Sequence, residues 1–291
     1  MTRPPAPVPE PLRHRPFTVR EGLEAGLTRD QLRSRAWTRP CYGVRAASAP
    51  TDLLGRARAL QAARPAVAFS HQTAVLLLGL PDAGREDRLH VTTSGHAPVR
   101  RPGVVGHRGL ASRAVMRAEG LRVVAPEDTW CDLATILAVD DLVVLGDAIA
   151  TRCRERDRLD RTARARTGAR GAAAMRAALA LVRVGSESPG ETLARLGLLR
   201  AGLPEPELNH VVRDAADELL ARVDLAWPQA RVAVEYQGEH HFADGRRGVA
   251  DIHRRRLLEA DGWVVVEMTR RDLSSAARLA EVVALVRSAL G

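Results

Sequence analysis

Along residues 222–238, RVDLAWPQARVAVEYQG, apolar and polar side chains alternate in two short runs separated by Trp227-Pro228-Gln229-Ala230. That pattern predicts two strands joined by a tight turn. In the second run Ala233, Glu235 and Gln237 share one face, and Val232, Val234 and Tyr236 the other, because successive strand side chains point to opposite sides. The short connection favours antiparallel pairing and so brings Asp224 alongside Glu235. Upstream, SPGETLARLGLLRAGLP predicts a helix with Ser188 as N-cap, Pro189 at its first position and Glu191 at its third. Downstream come a loop, the helix ADIHRRRLLEADG and a core strand at Trp263-Val264-Val265-Val266. The last helix, over 275–289, carries the apolar stripe Ala277, Leu279, Val282, Val283 and Val286.

The N-terminal third follows a different pattern. Two short helices each open on a capping box, Thr18 with Glu21 and Thr28 with Gln31, and Gly26 sits where a sharp turn between them needs it. The second helix and its exit carry Arg29, Arg33 and Arg35, and WTRPCYGVRA (37–46), which holds Arg39, reads as a β-wing. This is the layout of a winged helix-turn-helix, whose second helix enters the major groove. Beyond it, Ser70 is expected to cap an apolar helix ended by Gly79 and Pro81; strands follow near 88–93 and 120–124, and Pro126-Glu127-Asp128 opens a further helix. His71, His90, His96 and His107 fall on different elements and read as surface or hydrogen-bonded core residues rather than ligands. The stretch 151–170, with eight Arg against three acids, reads as a solvated helical linker in preference to a backbone-contacting patch.

These patterns predict an α+β multidomain chain. Its parts are a Pro-rich floppy leader over 1–16, a winged helix over 17–50, an α+β middle domain over 51–150, a linker over 151–185 and a C-terminal domain over 186–291. Net charge is +9, and all 44 basic residues are Arg. The charge favours a nucleic-acid partner only modestly, because an arginine-only, alanine-rich composition also reflects coding bias. No apolar run approaches the roughly 20 residues that span a bilayer, so no membrane partner is expected. Three distant cysteines, Cys41, Cys131 and Cys153, make neither a disulfide framework nor a C-x-x-C pair, which suits a reducing cytoplasm.

Two carboxylates side by side repel unless a cation lies between them. Mg²⁺, or Mn²⁺ in its place, takes hard oxygen ligands of this kind, so Asp224 and Glu235 are the candidate metal ligands. Residues 17–44, with the segments that follow at 68–81, 88–93 and 120–134, resemble the AbiEi-family antitoxins, which place a winged helix before a downstream body. Residues 186–291 resemble the DUF559 group, relatives of the very-short-patch-repair endonucleases within the PD-(D/E)XK nuclease superfamily. The resemblance rests on Ser188 to Glu191, Asp224, Glu235-Tyr236-Gln237-Gly238-Glu239-His240-His241, Asp251 to Arg254, and Gly262-Trp263. It implies a restriction-endonuclease-like α/β/α domain with a mixed sheet. Gln237 stands where the superfamily usually has lysine, and a neutral amide cannot act as a base.

The resemblance implies a division of labour. Asp224 and Glu235 hold the metal, Gln237 orients a water, Glu191 acts as an outer acid, and His241 moves a proton with Asp251 fixing its tautomer. Arg254 and Arg255 clamp phosphate, while Arg29, Arg33, Arg35 and Arg39 meet DNA. Each has a plainer explanation: Glu191 and Asp251 as helix caps, His240 and His241 as exposed loop residues, the Arg run as a solvated face. The expected function is Mg²⁺-dependent DNA cleavage. The alternative is a non-catalytic AbiEi-type antitoxin or transcriptional regulator, working with a toxin partner or as a homodimer; an RNA substrate also stays open.

Overall fold

The computed structural model describes residues 9–82, 84, 86–95, 97–238 and 245–291, with the side chains of all of these except 11 and 245–252. It divides into two compact units, 1–133 and 134–291.

The first unit opens with α1 (Glu10–Arg13), β1 (Phe17–Thr18), α2 (Val19–Glu24), α3 (Arg29–Arg33) and β2 (Val44–Arg45). Both expected capping boxes form. The Thr18 hydroxyl accepts from the Glu21 N–H while the Glu21 carboxylate accepts from the Thr18 N–H, and Thr28 and Gln31 repeat the exchange. Gly26 makes the turn between the helices at φ 89°, a left-handed conformation that glycine adopts without a Cβ penalty. β1 pairs antiparallel with β2, Phe17 opposite Arg45. Leu12, Phe17, Leu27, Leu32 and Trp37 form the local core. The expectation of a floppy leader therefore needs correction at its end: Leu12, on α1, is buried against Phe17, Leu27, Leu32 and Trp37.

The same unit continues with α4 (Leu53–Ala63), β3 (Ala68–Phe69), α5 (His71–Leu77), β4 (Leu89–Thr93), β5 (Val104–Arg108), β6 (Val115–Ala118), β7 (Leu121–Val124) and α6 (Pro126–Leu133). The five strands form one mixed sheet in the order β5-β4-β3-β7-β6. Leu60, Phe69, Val91 and Val123 lie in its core. Ser70 holds the N-cap position of α5 but makes no capping hydrogen bond; its hydroxyl meets His71 Nδ1 instead, at 3.1 Å.

The second unit contains α7 (Val139–Cys153), α8 (Asp157–Arg164), α9 (Ala172–Leu181), α10 (Pro189–Arg200), β8 (Glu207–Arg213), β9 (Leu219–Trp227), β10 (Val232–Gln237), α11 (Gly245–Ala260), β11 (Val264–Thr269), α12 (Arg270–Leu273) and α13 (Ala276–Leu290). The unit boundary thus falls before α7, whereas the sequence pattern placed α7 in a middle domain and α8 and α9 in a linker. The reason is a buried polar joint. Asp147 on α7 accepts from Arg195 Nη2 (2.8 Å) and Thr192 Oγ1 (2.9 Å) on α10, and from the Arg183 N–H (2.7 Å) after α9. Both charged side chains are almost fully buried, Arg195 at 0% and Asp147 at 1% exposure. α9 buries Met175 and Ala178, so this part of the expected linker is core.

The sheet of the second unit runs β11-β10-β9-β8. β8, β9 and β10 form an antiparallel meander, and β10 then pairs parallel with β11 through the crossover helix α11. The alternation expected along β10 is observed: Val232 and Val234 join the core that contains α10 and α13, while Ala233 joins a second core on the α11 side with Leu258 and Trp263. Val282, Val283 and Val286 are the buried stripe of α13. Among the described residues, no helix is long and apolar enough to cross a membrane.

Candidate active site

The chemistry suggested by sequence gathers where β9 and β10 part. Their pairing runs Val232↔Trp227, Ala233↔Ala226, Val234↔Leu225, and beyond it the ladder position is taken by a side chain. Asp224 Oδ2 accepts from the Tyr236 N–H at 2.8 Å. Asp224 is thereby fixed next to Glu235, which is buried at 7% exposure among strand neighbours. Burial pushes the proton affinity of Asp224 up and the Glu235 charge pushes it further, against the pull of the Tyr236 N–H, Arg254 and Arg222.

Glu191 arrives from α10. Ser188 caps that helix by accepting from the Glu191 N–H at 3.1 Å, as expected. The reciprocal bond is displaced: Glu191 Oε2 accepts from the Glu187 N–H at 2.7 Å, so its carboxylate closes the turn before the helix. Burial is the largest influence on Glu191 and raises its proton affinity, and the Asp224 charge adds to it. Glu191, Asp224 and Glu235 therefore form one electrostatically coupled group. Gly190 permits the approach, because the helix lies so close to Tyr236 that a Cβ on residue 190 would fall 1.9 Å from the ring.

The arginines assigned to phosphate sit on carboxylates. Arg254 Nη2 donates to Glu235 Oε2 at 2.9 Å. Arg255 forms an ion pair with Glu267 of β11, whose backbone lies opposite Glu235 in the parallel register. Nearby, Arg222 binds Glu187 through two bonds of 2.7 Å. Gln237 is half-buried at the end of β10. His240 and His241 lie outside the described residues, as does the side chain of Asp251, whose backbone belongs to α11.

In the first unit Arg29, Arg33, Arg35 and Arg39 are all exposed. Arg39 Nη2 donates to the Arg33 carbonyl at 2.9 Å, which ties the 37–46 segment to the end of α3. At the tip of that segment Tyr42 is 96% exposed. The pairing of Arg254 with Glu235 had no sequence signal, since it depends on how the crossover helix lands on the sheet. Gly190 did leave one, as a glycine inside a capped first turn.

No protein-family model matches the chain. Two uncharacterized proteins of Mycobacterium tuberculosis, MT2308 and Rv2248, are each 31% identical over 254 residues, covering 85% of this chain and 92% of theirs. A crystal structure of the RV2827C protein from Mycobacterium tuberculosis aligns at a TM-score of 0.38 and 17% identity, over 69% of this chain and 84% of that one.

Proposed function

The chain belongs to the same family as those two mycobacterial proteins, and from its own residues we propose that it is a Mg²⁺-dependent DNA endonuclease with a DNA-binding winged helix at its N-terminal end. The observation that carries the reading is the coupled carboxylate group. Glu191 and Asp224 are both held at raised proton affinity by burial and by a neighbouring acid, a cost that functional sites carry and structural ones usually shed. The order helix, three-strand meander, crossover helix, parallel strand supports the restriction-endonuclease-like reading of 186–291. Two capped helices joined by a left-handed turn at Gly26, and an exposed Tyr42 in the segment beyond them, support the winged helix, although β2 pairs with β1 and the 37–46 segment itself holds only the Thr38–Ala46 bridge.

The donor set fits the metal. Asp224 and Glu235 offer carboxylate oxygens, and the surplus of negative charge in the group favours a divalent cation. Held by Asp224 and Glu235, Mg²⁺ would lower the pKa of a bound water and offset negative charge developing on the phosphate oxygens. The protein's own contributions follow from its geometry. The Tyr236 N–H orients the Asp224 carboxylate. Glu191, a stronger base than an exposed glutamate, takes up a proton from water. Gln237 orients that water as donor and acceptor. Arg254 exchanges Glu235 for a substrate phosphate, which its guanidinium binds through paired donors. Arg29, Arg33, Arg35 and Arg39 track the DNA backbone from α3 and the segment beyond it.

Supercoiled plasmid incubated with Mg²⁺ or Mn²⁺ tests the proposal. Nicking by the wild type is expected, abolished by a chelator and by Asp224→Ala or Glu235→Ala. Equal traces from the wild type and both variants would reject it. The ion pair between Arg254 and Glu235 favours the second reading, in which the C-terminal domain serves binding or dimerisation in an antitoxin-type regulator. That reading predicts salt-sensitive DNA binding without cutting.

A further inference from the structure

Outside the carboxylate site, three histidines from three elements converge: His71 at the start of α5, His90 on β4 and His107 on β5. One ligand nitrogen from each lies within 4.8 Å of the others; among the described residues this is the group of three or more His, Cys, Asp or Glu that meets so closely. We propose that His71, His90 and His107 form a zinc site in the first unit, independent of the nuclease reading.

Several observations support a built site rather than a chance contact. His90 Nδ1 and His107 Nε2 face each other at 3.0 Å, and the His71 ring stacks on His107 at 3.7 Å. His90 is held by its backbone on both sides: its N–H donates to Thr73 Oγ1 at 2.8 Å and its carbonyl accepts from the Ser70 N–H at 3.0 Å. His71 keeps a left-handed backbone, φ 51°, which is disfavoured for a non-glycine residue and is tolerated where a side chain must be aimed. One outward nitrogen is already hydrogen-bonded and a second stands near a carboxylate. His71 Nδ1 meets Ser70 Oγ at 3.1 Å. His90 Nε2 is buried without a hydrogen-bond partner among the described residues, 3.8 Å from Glu86 Oε2. Arg88 holds both Glu86 oxygens at 2.9 Å, and closing the 3.8 Å gap on loading places that carboxylate behind the ligating ring, where it fixes the tautomer and raises the basicity.

The chemistry selects zinc. Three imidazole nitrogens suit a borderline cation and not Mg²⁺. With Zn–N near 2.0–2.1 Å, ligand nitrogens in a tetrahedron stand about 3.4 Å apart. Loading therefore opens the His90–His107 pair from 3.0 Å by about 0.4 Å, draws the wider separations in from at most 4.8 Å and turns the His71 and His107 rings out of their stack.

The test uses the full chain, tag removed and stripped with chelator, then titrated with Zn²⁺ or Co²⁺. The expected result is one tight metal per chain, with the intense visible absorption of four-coordinate Co²⁺. Affinity should fall at least tenfold in His90→Gln and His107→Asn and about 10–100-fold in Glu86→Gln, and stay unchanged in His210→Gln. Unchanged binding in the three site variants, or a weak six-coordinate Co²⁺ spectrum in the wild type, would overturn the proposal. Should His90→Gln fail to fold, Glu86→Gln and the wild-type spectrum still decide.

Discussion

Replacing Gly190 by alanine probes how the carboxylate group is assembled. A Cβ built there would stand 1.9 Å from Tyr236 Cε1, 2.3 Å from Cζ and 2.4 Å from Cδ1, where ordinary contact begins near 3.4 Å. The helix or the ring must therefore give by about 1.5 Å. The ring has little freedom, because it packs against the core between β10, α10 and α13, on a backbone fixed by the 2.8 Å bond of the Tyr236 N–H to Asp224 and by pairing opposite Met268. Overpacking of this kind costs about 1–3 kcal/mol, against a helix-propensity gain of at most about 1 kcal/mol for alanine over glycine. The expected net loss is about 1–2 kcal/mol, read by urea unfolding followed by far-UV circular dichroism. α10 moves off β10 and carries Glu191 with it, so the nicking activity proposed for the wild type should fall with stability. In a Tyr236→Val background the three nearest ring atoms are gone, and the same change should be neutral or slightly stabilising. Equal losses in both backgrounds would refute the reasoning.

Further expectations follow from the same geometry. Arg195→Met strands the buried Asp147 carboxylate, and the loss should reach about 3–5 kcal/mol; a loss below about 1 kcal/mol in chemical denaturation would contradict the buried joint. Asp224 has a folded proton affinity above its ordinary pKa of 3.8, so its favourable contribution is complete below that pH and is lost as pH rises through the raised value. Asp224→Asn should accordingly melt above the wild type at pH 7.5, with the difference vanishing near pH 3.5; a variant that melts lower at pH 7.5 than at acid pH, relative to the wild type, would sink this assignment. Arg33→Ala and Arg35→Ala should each weaken DNA binding across sequences and reduce the slope of log affinity against log salt by about 1; unchanged slopes would remove α3 and its exit from the DNA surface.

Local features were legible in the sequence. The capping boxes at Thr18 and Thr28 form because all their partners lie within three residues. The alternation along 232–237 fixes which side chains share a face, and the short turn ahead of it suffices to put Asp224 beside Glu235. What the sequence hid depends on distant contacts. Nothing local says that α11 returns β11 parallel to β10, and that return sets Arg254 on Glu235 and Arg255 on Glu267. The three histidines looked scattered because α5, β4 and β5 meet only in the folded sheet. Ser70 looked like a cap, yet its hydroxyl turns to His71. Asp147 gave no hint of Arg195, 48 residues away, and this pair ties α7 to α10 within the second unit.

The central claim is that Asp224 and Glu235 together hold a divalent cation. A crystal soaked in Mn²⁺ and measured at the manganese edge tests it most directly. The account predicts an anomalous peak between the two carboxylates, with the Arg254 guanidinium moved off Glu235. Density showing that guanidinium still on Glu235, and no peak at saturating Mn²⁺, would contradict it.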